Sequence, residues 1–197
     1  MKTIYKILFF IITITGYSQV TTTIPLNSYE DFQSGAYLKD TNYELNPFEG
    51  TWYFINNNIK YTLVLQKMEQ ILITRNPSSF YYYVDKIVIK YEVRDLGTNT
   101  VLYTTMDTTL YDDFEITSLG GVYNGELEFD FFDNERCNVD RIRLYKITVQ
   151  SGTTIPYQVR YFNFGGDGYW DPNGCPNPNA ANIPRKLPLG SFTLTKQ

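Results

Sequence analysis

The chain contains no histidine. Without it no Ser-His-Asp or Cys-His pair can form, and no His-ligated zinc, copper or non-haem iron site. Acid–base work near neutral pH would fall to carboxylates or tyrosines with strongly displaced pKa values. A two-carboxylate mechanism survives that exclusion; the common nucleophile–base plans do not. Alanine is almost as scarce, occurring only at positions 36, 180 and 181, so the best helix former is nearly missing. Lysines and arginines do not cluster, and the formal net charge is −4. Nothing electrostatic therefore draws the chain to nucleic acid or to an anionic membrane surface.

What is abundant is aromatic area. Tyr 18, Phe 13 and Trp 2 make up 17% of the 197 residues. With many Thr, Ile and Val, that bias favours pleated, half-buried surfaces. A hydrophobic content of 43% suffices for one core of ordinary size. The length fits one domain, with some chain left over for an export signal and a lead-in.

Residues 1–18 have the three parts of a secretory signal. Lys2 and Lys6 supply the positive region, Ile7–Ile12 the short apolar core, and Gly16 and Ser18 the small residues a signal peptidase reads. The apolar run is too short to span about 30 Å of hydrocarbon, so no transmembrane segment is expected after cleavage. No cysteine follows it, which argues against a lipid anchor there. The ending Tyr17-Ser18-Gln19 resembles signals of Flavobacterium-like bacteria. Cleavage after Ser18 would remove two lysines and no acid, taking the charge from −4 to −6. Export makes Cys137 and Cys175 candidates for a single disulfide, worth about 4 kcal/mol for a loop of that length. Two independent free thiols are the alternative.

Residues 19–47 are polar and without strict period, and read as a lead-in. Ser28–Tyr43 could hold one short helix, with Ser28 as its N-cap and Asp31 in its first turn. Residues 48–197 read as the barrel domain, and from Gly50 the period switches to two, the signal of strands. Trp52 and Phe54 share a face before a turn at Asn56-Asn57-Asn58. Ile59, Tyr61, Leu63 and Leu65 alternate with Lys60, Thr62, Val64 and Gln66. Ile87, Ile89, Tyr91 and Val93 form the next apolar face, followed by a turn at Asp95–Asn99 and a return over Val101–Met106. Leu127, Phe129 and Phe131 follow the Asn124-Gly125 turn. Their partner is Arg141–Val149, where the apolar face slips between Leu144 and Tyr145 as a bulge would cause. Ser151-Gly152-Thr153 then turns into Pro156–Phe164, with Tyr157, Val159 and Tyr161 on one face. Gly165–Pro188 is a long Gly-, Pro- and Asn-rich loop, and Ser191–Thr195 a closing strand. About eight to ten strands in sequential hairpins, with no βαβ rhythm, make an up-and-down antiparallel barrel the economical solution, because closure removes exposed edges.

Phe48-Glu49-Gly50-Thr51-Trp52 resembles the Gly-x-Trp signature that opens the first barrel strand of lipocalins, and equally the Phe-x-Gly-Thr-Trp opening of fatty-acid-binding proteins. The resemblance implies a calycin barrel with Gly50 and Trp52 as a structural plug: a tight entry and a large apolar body on the barrel floor. It also points to Arg185 as the late arginine that packs over Trp52 in lipocalins. Departures are visible. The mid-barrel Thr-Asp-Tyr motif is missing, and so is the Arg/Tyr pair that cradles a fatty-acid carboxylate. From about Tyr37 onward the chain also resembles a family of uncharacterised exported lipocalin-like proteins of Bacteroidota, which brings no activity with it.

The remaining candidates are weaker. Glu126, Glu128 and Asp130 share a strand face, best read as the solvated one, since three buried like charges are very costly. Asp167, Asp171 and Asn173 could surround Ca²⁺ but miss the EF-hand spacing and make ordinary turns. Tyr169 and Trp170, like Phe80-Tyr81-Tyr82-Tyr83, could stack on a ligand or fold back on the core. Asp107-Thr108-Thr109 resembles the short O-glycosylation motif of Bacteroidota. The expectation is thus an exported non-enzyme without catalytic residues, metal or cofactor. Two roles stay open: a carrier of a small apolar or amphipathic ligand, or an envelope structural or interaction module with a side-chain-filled barrel.

Overall fold

The computed structural model describes residues 22–28, 31–75, 80–148, 157–166, 177 and 179–197. Among them lie eleven strands and three single-turn 3-10 segments, with no α-helix. The strands are β1 (Thr23–Pro25), β2 (Tyr37–Lys39), β3 (Gly50–Asn56), β4 (Ile59–Arg75), β5 (Phe80–Asp95), β6 (Val101–Thr104), β7 (Ile116–Ser118), β8 (Glu126–Asp133), β9 (Asn138–Thr148), β10 (Tyr157–Asn163) and β11 (Gly190–Lys196).

Antiparallel pairing runs β5–β4–β3–β11–β10–β9–β8–β7, and β7 returns to β5 at Val88↔Thr117 and Ile89↔Ile116. The circuit is closed. β6 and β7 lie along the same edge of β5 and run the same way. Thr105 still exchanges hydrogen bonds with Tyr91, giving its N–H to the Tyr91 carbonyl at 2.9 Å and taking the Tyr91 N–H on Oγ1 at 2.9 Å. Residues 106–115 then leave the sheet, and Ile116 rejoins opposite Ile89. β6 and β7 are therefore two halves of one strand position, and the fold is an eight-position up-and-down barrel.

Turn chemistry matches this meander. Asn57 and Asn58 have φ of 48° and 66°, the left-handed pair that a two-residue hairpin turn requires. Asn124 and Gly125 repeat it at 51° and 78°. The inward faces follow the sequence alternation: Trp52 and Phe54, Leu63 and Leu65, Ile87 to Val93, Leu127 to Phe131, Ile142 and Leu144, Val159 and Tyr161, and Leu194 make one core cluster. No member is more than 4% exposed. Each such side chain contributes about 1.5–3 kcal/mol of burial.

One end is floored by the lead-in. Trp52 is buried, and its Nε1 donates to the Phe48 carbonyl at 2.8 Å. Phe48 closes a 3-10 turn over Asn46–Phe48 and is buried beside Leu45. Gly50 enters the strand at φ +123°, a conformation that side chains rarely adopt.

The lead-in differs from the expected helix. Its described part holds β1 and β2, which pair in parallel with each other, and β2 pairs in parallel with β5 at Tyr37↔Tyr83 and Leu38↔Val84. The reason is the length of the β4–β5 hairpin. It overshoots the barrel floor by about half its length and offers an edge whose N–H and C=O groups need partners. Tyr83 gives its N–H to the Ala36 carbonyl at 2.8 Å, and the Tyr81 carbonyl accepts from Gly35 at 2.7 Å.

The bulge expected between Leu144 and Tyr145 is absent. β9 keeps register with both β8 and β10, and Tyr145 sits on the outer face, where its hydroxyl accepts from Arg143. The bulge lies in β4 instead, where Glu69 and Gln70 together oppose Asp85. Gln70 adopts φ 58°, and its N–H, lost to the ladder, is taken by Asp85 Oδ1 at 3.1 Å. Asp85 is fully buried and also accepts from the Tyr37 hydroxyl (2.6 Å) and the Asp40 N–H (3.0 Å). Asp40 in turn accepts from the N–H groups of Glu44 and Leu45 and from Lys67 Nζ at 3.1 Å. Burial opposes the Lys67 charge, yet these carboxylates outweigh it and hold its pKa above the usual lysine value. The two aspartates fasten the lead-in to the barrel.

Candidate functional site

The opposite end is the mouth, ringed by the turns after β3, β5, β8 and β10. An aromatic stack fills its throat. Phe54 lies 4.7 Å from Tyr61, 4.6 Å from Phe192 and 5.4 Å from Tyr161, centroid to centroid. Over this stack the chain folds back as the segment Arg185-Lys186-Leu187. Leu187 is fully buried and joins the barrel core. The next carbonyl, of Pro188, accepts from the Tyr161 hydroxyl at 3.2 Å.

Two buried carboxylate sites hold that segment. Asp140 and Asp133 are both 0% exposed, each in phase with the inward residues of its strand: Asp140 with Ile142 and Leu144, Asp133 with Phe129 and Phe131. Arg185 pairs with Asp140, which also accepts from the side-chain amides of Asn138 and Asn163. Lys186 lies 3.0 Å from Glu115, 3.4 Å from Glu135 and 3.8 Å from Asp133. Tyr91, reaching up from inside the barrel, donates its hydroxyl to Glu115.

Environment separates these groups. Burial raises the Asp133 pKa, and the nearby Lys186 and Arg136 charges and the Arg136 N–H only partly offset it. Burial also opposes the Lys186 charge, but Glu115, Asp133 and Glu135 together hold that lysine above its usual value. Burial, then the bond to Glu115, pushes the Tyr91 hydroxyl far up. A neutral phenol, a firmly charged ammonium and carboxylates committed to it form a fastening.

Outside the wall, between the excursion at 106–115 and β8, lies an open recess of about 510 Å³ lined by Tyr111, Asp112, Phe114, Glu115, Thr117 and Phe132, among others. Glu115 thus borders both the mouth cluster and this recess. Among the described residues no group of three Cys, Asp or Glu could hold a metal ion.

The acidic row predicted to be solvated is a cross-strand charge ladder on the outer face. Arg143 pairs with Glu126 and Glu128, and Arg141 with Glu128 and Asp130. Arg185 does not pack over Trp52. That place belongs to Lys196, whose Nζ lies 5.0 Å from the ring centroid; β11 ends against β3 there, whereas Arg185 sits at the far end of the barrel on Asp140. Phe80 and Tyr82 fold back on the lead-in, packing 5.8 Å and 5.1 Å from Phe32. Asp107-Thr108-Thr109 falls in the excursion at 106–115, with Asp107 and Thr109 exposed. Cys137 is buried in the turn after β8 and is not a free thiol. Cys175, Asp167, Asp171, Asn173, Tyr169, Trp170 and the signal at 1–18 lie outside the described residues. Lys186, Glu115, Asp133 and Asp140 escaped the sequence reading. The signal available was parity, a carboxylate falling in phase with a buried apolar face.

Residues 1–158 match the model of DUF6705, a family of unknown function. The chain belongs to that family. The DUF6705 match covers the lead-in and every strand through β9 and ends in β10, so the mouth segment and β11 lie beyond it. No curated protein matches the chain, and no solved structure does. Among the described residues, no helix of this DUF6705 protein is long and apolar enough to cross a membrane.

Proposed function

We propose that this DUF6705 protein is an exported, non-enzymatic barrel of lipocalin-like build that acts as an envelope structural or protein-interaction module. One observation supports the reading: the described core residues, drawn from every wall of the barrel, are all buried, none more than 4% exposed. A carrier for a drug-sized ligand needs about 300 Å³ or more of enclosed space. Side chains lining such a space would expose far more surface than these do. The floor is occupied by Trp52 and Phe48 and the mouth by Leu187, so both ends where a ligand would enter are taken by the chain itself. Export is supported by the three-part signal at 1–18, and a bonded Cys137 suits an oxidising compartment.

The test is direct. Protein purified from its source is examined by native mass spectrometry and titrated with a fluorescent fatty acid. The expected result is the bare polypeptide mass and no saturable uptake. A lipid-sized adduct, or saturable uptake abolished by adding bulk to the interior beside Trp52 with Leu63→Trp, overturns the filled-barrel reading in favour of the carrier.

A further inference from the structure

The overshooting β4–β5 hairpin leaves one edge of β4 bare. β3 covers β4 only as far as Gly50↔Leu65. Lead-in residues cover the next stretch, where Glu49 accepts the Lys67 N–H at 3.0 Å and Asp40 takes its ammonium. Beyond the bulge, among the described residues, nothing pairs with the outer edge at Ile71–Thr74.

The orientation of that edge follows from its neighbour. Tyr83 and Tyr81 spend their backbone groups on Ala36 and Gly35, on the side away from β4. In an antiparallel ladder the residues opposite them must then form the non-hydrogen-bonded pairs. Those residues are Leu72 and Thr74. Their N–H and C=O groups point outward, and the Leu72 side chain is 52% exposed. Natural edges are blunted by lysine, proline or a bulge. Here the bulge precedes the segment, and Ile71-Leu72-Ile73-Thr74 contains neither lysine nor proline.

The segment is also self-complementary. Read as Glu69-Gln70-Ile71-Leu72-Ile73-Thr74-Arg75, it is a palindrome of polarity about Leu72 with opposite charges at its ends. A two-fold axis at Leu72 lays Leu72 on Leu72, Ile71 on Ile73, Gln70 on Thr74, and position 69, a glutamate, opposite position 75, an arginine. Because the Leu72 backbone groups face outward, the two copies of Leu72 would exchange both of their hydrogen bonds. We infer that a second copy of this chain docks on this edge, β4 to β4 and antiparallel, joining two extended sheets into one. Isologous contact closes after two copies, which prevents the open-ended growth that a bare edge invites. The contact is small beside standard interfaces, so the dimer is weak and dependent on concentration. It gives the interaction reading a first partner, yet it stands independently of whether the barrel is filled.

The test is sedimentation equilibrium of the full chain from about 1 µM to about 500 µM, beside thermal melts that report folding. The wild type is expected to pass from monomer to dimer across this range. Leu72→Pro removes only an outward N–H at an edge, where proline is tolerated, and should leave a folded monomer. Glu69→Arg puts like charges opposite each other and should weaken dimerisation about tenfold, and Glu69→Arg combined with Arg75→Glu should restore it. A wild type that stays monomeric throughout overturns the proposal, as does a dimer indifferent to both the proline and the charge reversal. Failure here leaves the filled-barrel test untouched, and a lipid adduct there leaves this one untouched.

Discussion

Lys196 holds its ammonium 5.0 Å from the centroid of the Trp52 ring, and its Cε occupies the space that a Cβ on Gly50 would enter at 2.9 Å. The barrel's first and last strands are thus joined by a cation on an indole as well as by the ladder Thr195↔Tyr53 and Lys196↔Trp52. Gly50→Ala is expected to cost about 1–3 kcal/mol, because φ +123° is strained for any residue with a Cβ. The lysine tip can swing aside, so Lys196→Ala alone should cost only about 0.5–1 kcal/mol and should not rescue Gly50→Ala. Urea unfolding of the two single variants and the double variant measures this, and rescue by the lysine change would make crowding, not backbone strain, the cause.

Lys186→Met should be among the most damaging substitutions outside the apolar core. It removes the ammonium that Glu115 and Asp133 share, leaving Asp133 only Arg136, and breaking one side of a buried ion pair costs about 3–5 kcal/mol. Adding Glu115→Gln should recover a large part of that loss, since the uncompensated charge is then reduced. Melting temperatures of the single and double variants decide the matter. A double variant no better than Lys186→Met would locate the damage in lost packing.

Alkali should unfold this protein cooperatively. Burial raises the phenols of Tyr37, Tyr91 and Tyr161 above the ordinary tyrosine value of 10.0. Lys186 is held above 10.5 by its three acids, which outweigh its burial. In every case the folded state keeps its proton more tightly than the unfolded chain does. The stability from these groups is full below pH 10 and is lost as the pH climbs through the folded-state values. Tyrosinate absorbance near 295 nm and far-UV circular dichroism followed together should show the buried phenols ionising only as the sheet signal collapses.

The outer charge ladder should matter little. Glu126→Gln and Glu128→Gln each remove one side of a half-exposed pair with Arg143 or Arg141 on the outer face. Each change is expected to stay within about 0.5 kcal/mol, and the difference should shrink further in 1 M salt. If these carboxylates worked as a catalytic pair, the same substitutions would remove an activity while leaving the melting curve in place.

Much of the barrel was legible because inward and outward residues alternate cleanly in β3, β8 and β10, and because Asn57-Asn58 and Asn124-Gly125 allow one kind of turn. The parts that escaped depend on partners distant in sequence. Tyr37–Lys39 is a strand because the overhanging part of β5 needs a neighbour, which its own three residues do not announce. Gln70 holds a left-handed conformation without being glycine because Asp85 takes its amide. Lys196 displaces the expected Arg185 over Trp52, and lies next to that ring only once the sheet has closed. At the mouth, Asp133 and Asp140 were visible as charges in an apolar phase, but their cations come from residues 185 and 186, about fifty positions later.

That separation sets an order of events. Strands β3 to β10 can assemble as the chain is made, since each pairs with a near neighbour along the chain. Until Arg185 and Lys186 arrive, however, the rim carries two wholly enclosed carboxylates without their counter-charges, and the seam awaiting β11 stays open. Completion therefore waits for residues 185–196, when one short stretch neutralises the rim, stoppers the throat and supplies β11. A chain truncated just before Pro184 would keep nearly all of the wall and lose the means to shut it.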